Sequence, residues 1–181
     1  MTIADATATG IDRAFLTDWA ARFLNAWNAL DGEGVASLCT EEVLWRDPSS
    51  PEPFAGRSGV LEFVEMTGRA FPDFHVTETA PTYFLPDCTR VLSPYQMTGT
   101  MLGPMSGFAP TGRRISVSGV DEWTFKDGLL CSYYSYYDMI DVARQLGIMP
   151  QSGSRAERLM AGMQHAQARL QRRKHSSPVQ A

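Results

Sequence analysis

The sequence predicts an α+β fold, a cone in which N-terminal helices pack on a curved, mostly antiparallel sheet. Three observations lead there. Phe15, Trp19, Phe23 and Trp27 recur every four residues, with Leu16, Leu24 and Leu30 beside them, which is the pattern of a helix with one apolar face. Beyond residue 73 the chain reads as strands near 74–85, 89–101, 113–126 and 129–138. "KDG", Lys126 to Gly128, is a tight-turn signal that makes the last two runs a hairpin. Helices first and antiparallel strands after them is the α+β order, and a sheet curved around helices encloses a cone-shaped cavity.

The elements follow in order. Residues 1–10 are small and polar and are expected to be disordered. The first helix runs from Ile11 to Leu30, "DGEG" breaks it, and Val35 to Cys39 form a short second helix. "EEVLWRDP" is a strand stopped by Pro48, "PSSPEPFAG" a loop, and "RSGVLEFVEMTGRAF" a third helix. Between the second and third long strands, "TMLGPMSGFAPTGRR" is a loop rich in Gly, Pro and Met. Met139 to Leu146 form a helix ended by Gly147. Ser154 caps a last helix, whose stripe of Leu159, Met163, Ala166 and Leu170 is expected to pack on the sheet or on a second subunit. The expected organisation is one domain over 11–150 and a helical extension with a tail over 151–181.

Bulk properties exclude several functions. The chain has 181 residues, 44% hydrophobic and 10% aromatic, enough for one domain with a sizeable core. A net charge of -4 gives no reason to expect nucleic acid or an acidic membrane as partner. No apolar run approaches the roughly 18 residues of a membrane helix. Cys39, Cys88 and Cys131 are an odd set at no metal spacing, and the N-terminus is not signal-like, so they read as reduced thiols in a cytoplasmic protein. The three histidines are far apart, and no metal site is expected.

One strand carries a contradiction. In "ISVSGVDEWTFKDG", alternation puts Ile115, Val117, Gly119, Asp121, Trp123 and Phe125 on one face. That face is apolar except for Asp121. A buried carboxylate is costly unless it is paired, hydrogen-bonded or protonated, so Asp121 is a candidate functional group.

"AFPDFH", "PTGRRISVSGVDEWTFKDG" and "YDMIDVARQLGIMP" resemble, in order and spacing, the SnoaL-like polyketide cyclases of the nuclear-transport-factor-2-like superfamily, over roughly Phe15 to Pro150. "VLWRDPSSPEPFAGRSG" is similar to the catalytic-base strand of the ketosteroid isomerases, and "GVDEWTF" to the strand that bears their neutral acid. The resemblance implies that Asp47 takes the place of the isomerase base. Asp121 takes the place of a cyclase acid/base and of an aspartic acid held protonated by an apolar site. It also exposes departures. Phe23 stands where the isomerases carry a tyrosine, and Met101 where the cyclases carry a histidine. Against the related limonene-epoxide hydrolases, Gly119 stands in place of the arginine and Ser135 in place of the second aspartate.

The expected activity is therefore cofactor-independent acid–base chemistry on an apolar, carbonyl-bearing substrate, polyketide-like or polycyclic. It would be intramolecular aldol-type cyclisation or isomerase-like proton transfer. Epoxide opening, or a non-catalytic module that binds hydrophobic ligands, are the alternatives. Asp121 and Asp47 are the expected catalytic pair. Trp45, Trp123, Tyr95, Met97, Met101, Tyr133, Tyr137 and Phe23 are the expected pocket walls, with Tyr133 or Tyr137 as replacement donor for the hydroxyl missing at Phe23. The outer sheet face, with Val120, Tyr134 and Tyr136, is the expected surface of a homodimer.

Overall fold

The computed structural model describes residues 11–84 and 90–175. The disorder expected for residues 1–10, and Cys88, fall outside them. Among the described residues, five helices and seven strands follow one another: α1 (Arg13–Asn28), α2 (Gly32–Ser37), β1 (Cys39–Arg46), β2 (Phe54–Ala55), α3 (Gly56–Ala70), β3 (His75–Glu78), β4 (Tyr83–Phe84), β5 (Arg90–Thr100), β6 (Arg114–Lys126), β7 (Leu129–Tyr137), α4 (Met139–Gln145) and α5 (Arg155–His175). The strands make one sheet in the order β2-β1-β7-β6-β5-β3, with β4 also on β5. Every pairing is antiparallel except β1 with β7.

Local chemistry sets the elements. The Asp12 carboxylate accepts from Phe15 N at 2.8 Å and caps α1, so the helix begins where its first free amides find a partner. The face of α1 that carries Leu16, Trp19, Ala20, Phe23 and Trp27 is buried. Trp19 stacks on Phe23 at 4.9 Å and meets Trp123 of β6 edge-on at 5.0 Å, which ties helix to sheet through ring contacts. At the β6–β7 turn Asp127 and Gly128 have φ of 52° and 75°, the left-handed pair that a two-residue hairpin needs.

Four expectations shift. The predicted strand over 74–85 is two pieces, β3 and β4, both paired with β5. The second helix starts earlier, at Gly32, because Asp31 caps it through Gly34 N; Cys39 then opens β1. Part of the expected loop after Pro48 pairs with β1 as β2. The α5 stripe does not pack on the sheet: Leu159, Met160, Met163 and Leu170 are all exposed.

Candidate active site

The alternation on β6 holds. Ile115, Val117, Asp121, Trp123 and Phe125 are buried, and Ser116, Ser118 and Lys126 are exposed. Asp121 sits in a polar row across the sheet, facing Ser93 of β5 on one side and Ser135 of β7 on the other. All three are buried. The Tyr133 hydroxyl donates to Asp121 Oδ1 at 2.8 Å. Burial pushes the Asp121 carboxyl up to about 8; Ser135 and Tyr133 offset part of that shift, and the nearby Asp47 carboxylate adds to it. At neutral pH Asp121 is therefore mostly the neutral acid.

Asp47 lies just beyond the end of β1. Its Oδ1 accepts from Ser49 N at 2.8 Å, Ser49 Oγ at 2.5 Å and the Tyr137 hydroxyl at 2.7 Å. Burial raises its pKa, while these three donors favour the charged form. The two carboxyls thus differ in kind: Asp121 has one phenol on it, and Asp47 has a turn and a phenol. Both phenols come from β7, where Tyr133, Ser135 and Tyr137 follow one another on the inner face. The middle member closes a third bond, Ser135 Oγ to the Tyr95 hydroxyl at 2.6 Å.

Gly119 makes room for Tyr95. A Cβ there would lie 2.5 Å from Tyr95 Cζ and Oη and 2.8 Å from the Tyr136 carbonyl. The glycine in the middle of β6 is thus a seat for the tyrosine ring from β5.

A cavity of about 420 Å³ opens onto this polar floor. Asp47, Asp121, Tyr95, Tyr133, Tyr137, Trp123, Phe23, Met97 and Met101 all line it. Its size falls in the range of about 300–1,000 Å³ usual for small-molecule sites. Trp45 does not line it: the indole points inward but is buried in the core behind the wall, stacked on Tyr133 at 3.7 Å. Phe71, Phe74, Phe108 and Ile148 are walls that the sequence reading did not name. They come from turns and loops, where no periodicity reports on burial.

Asp73 has a different place. It accepts from Thr100 N at 2.6 Å and Thr100 Oγ1 at 2.8 Å and pairs with Arg114 at 2.9 Å, so it braces β5 and β6 outside the cavity. Among the described residues, no three His, Cys, Asp or Glu stand together as a metal cluster, and no helix is long and apolar enough to cross a membrane. Cys39 and Cys131 are free thiols, and burial pushes Cys39 up to about 12.

The SnoaL-like polyketide cyclase family model matches residues 17–146. No curated protein sequence matches the chain significantly. Many solved structures do. TsrD from Streptomyces laurentii is 23% identical, with a TM-score of 0.66 over 77% of this chain and 99% of its own. AclR from Streptomyces galilaeus is 20% identical, with a TM-score of 0.65 over 92% of this chain and 100% of its own. A protein from Catenulispora acidiphila with a ketosteroid isomerase-like fold, solved in complex with trimethylamine, is 17% identical, with a TM-score of 0.62 over 72% of this chain and 92% of its own. At these identities the structures show a shared fold, and the family match carries the assignment: the chain belongs to the SnoaL-like polyketide cyclase family.

Proposed function

We propose that this protein is a cofactor-independent enzyme that closes a ring within an apolar, carbonyl-bearing polyketide, with Asp47 as general base and Asp121 as general acid. One observation carries the reading: two carboxyls with unlike partners line one apolar cavity. Environment pushes such pairs apart into acid and base.

The Asp47 carboxylate takes a proton from a carbon next to a carbonyl. The resulting enolate carbon bonds to a second carbonyl carbon of the same molecule. The π bond of that carbonyl breaks, and its oxygen takes the proton of Asp121. The product is an isomer of the substrate, with Asp47 neutral and Asp121 ionised until the proton returns through solvent. Phe23 favours this over isomerase-like enolate holding, since it offers no hydroxyl for a second oxyanion donor, and the Tyr133 hydroxyl is engaged by Asp121. Phe23, Trp123, Met97 and Met101 supply flat and adaptable walls for fused rings.

The test uses ortho-acetonylbenzaldehyde, whose internal aldol closure and dehydration give a fluorescent naphthol, together with its anthraquinone-fused homologue. Wild type should accelerate closure, and Asp47→Asn and Asp121→Asn should each lose most of that rate. Binding of the homologue without turnover by the wild type would favour a hydrophobic-ligand module. Full turnover by both variants would sink the acid–base assignment.

A further inference from the structure

Trp123 is two residues along β6 from Asp121, on the same face, and lines the same cavity. It is only 1% exposed, and its indole Nε1 is buried without a hydrogen-bond partner. A buried donor left unpaired costs free energy. Trp19 and Trp45 also bury an unpaired Nε1, but neither lines the cavity. The Trp123 N–H lies close enough to the Asp121 carboxyl to favour its charged form, without closing a bond of ordinary geometry. The rings around Trp123 fix its plane: Trp19 at 5.0 Å and Phe23 at 5.4 Å.

We infer that Trp123 is a positioning residue for the acid: its N–H is held in reserve and closes on the Asp121 carboxylate as the proton leaves. This rests on Asp121 being the proton donor of the proposed reaction. In the resting, neutral state the carboxyl needs few donors, and Tyr133 supplies one. Once Asp121 has given its proton to the substrate oxygen, a full negative charge sits in a buried site, where a hydrogen bond to the charge is stronger than one between neutral groups. The indole N–H is a donor on the same face that has no acceptor of its own. Ser135 shares a hydrogen bond with Tyr95 in which either hydroxyl can donate, and it favours the charged form of Asp121 as Tyr133 does. Among the described residues, the titratable groups on the same cavity are Tyr95 of β5, Tyr133 and Tyr137 of β7, Asp47 beyond β1 and Glu78 of β3, with Ser93 and Ser135 opposite Asp121; α1, α3 and α4 bring no ionisable side chain to it. None is a cation, so no other group near Asp121 does the same work by charge.

The test reads Asp121 directly and needs no substrate. The protein is labelled with carboxyl-carbon-13 aspartate, and the Asp121 resonance, identified by its loss in Asp121→Asn, is titrated in wild type, in Trp123→Phe and in a variant with benzothienylalanine at 123. The last keeps the bicyclic shape and replaces N–H by sulfur. Loss of the donor should move the Asp121 midpoint up by about one pH unit or more in both variants. In the closure assay with the anthraquinone-fused homologue, the alkaline limb of the rate profile should move with it. A midpoint that stays put or falls in the benzothienyl variant overturns the inference, since a merely structural tryptophan would leave it unmoved and a leak of water would lower it. A shifted midpoint in a protein that shows no Asp121-dependent turnover would support the hydrogen bond and sink the proposed reaction instead, so the two failures are distinct.

Discussion

Tyr137 donates its hydroxyl hydrogen to Asp47 Oδ1 across 2.7 Å, joining the last inner position of β7 to the turn after β1. The contact exists because β1 and β7 run parallel, with Trp45 opposite Tyr133 and Arg46 opposite Tyr134. It favours the charged form of a carboxyl that burial would otherwise neutralise.

Tyr137→Phe should therefore weaken Asp47 as a base at low pH. Removing a donor from the carboxylate raises its pKa further. The acid limb of kcat/KM should move to higher pH by about one unit, with little change on the alkaline plateau. A pH–rate profile that keeps its acid limb in place would separate Tyr137 from Asp47 function.

Gly119→Ala should destabilise the fold by roughly 1–3 kcal/mol, as overpacking does. The new methyl meets both the Tyr95 ring and the Tyr136 carbonyl. Tyr95→Ala in the same chain relieves the first clash and leaves the second, so the double variant should cost less than the sum of the two single ones. Urea midpoints over the four proteins measure that coupling.

The sequence made the β6 face legible because a period-two pattern survives burial, and one carboxylate among apolar residues stands out from it. The same pattern on β7 separated Tyr133, Ser135 and Tyr137 from Tyr134 and Tyr136. It could not say which hydroxyl meets which acid, because that depends on the parallel β1–β7 pairing, a long-range fact with no local signal. Trp45 shows the converse error. Its strand parity is right, but an inward side chain can face the core below a cavity as well as the cavity. The role of Gly119 was hidden too. Its empty Cβ position has meaning only once Tyr95 is known to lie over it.

The extension over 151–181 should be dispensable for folding. No residue from 155 to 172 is buried; the extension meets the domain through the Arg144–Glu157 ion pair at 3.3 Å and a hydrogen bond from the Gln151 amide to the Arg144 carbonyl at 2.7 Å. Partly exposed ion pairs contribute about 0–1 kcal/mol. A chain ending at Pro150 should melt within a few degrees of the full protein. A collapse of the melting transition would make the extension part of the domain.

The outer sheet face should join two copies. Tyr134 and Tyr136 stack at 4.3 Å on that face and remain 38% and 47% exposed, with Leu44 exposed beside them. Light scattering at micromolar concentration should give twice the chain mass, and Tyr134→Lys with Tyr136→Lys should halve it. A wild type that is monomeric at that concentration would end this reading.

Asp121→Asn should lose roughly 100- to 10,000-fold in turnover, the range for a missing general acid, and yet gain stability at neutral pH. The folded carboxyl titrates near 8, against an ordinary value of 3.8. Below the ordinary value both folded and unfolded chains hold the proton, and the wild type bears no penalty. Between the two values the folded chain keeps a proton that the unfolded chain has released, so stability falls as pH rises, by up to about 1.4 kcal/mol for each unit. Above the folded value both states are ionised and the slope vanishes. Asparagine has no proton to hold and keeps an oxygen to accept from Tyr133. The variant should therefore equal or fall below the wild type near pH 4, and exceed it by an amount that grows to a plateau near pH 8. Denaturant unfolding at several pH values measures the difference. A difference that is constant across this range would mean that Asp121 titrates normally in the folded protein, and the neutral acid would have no basis.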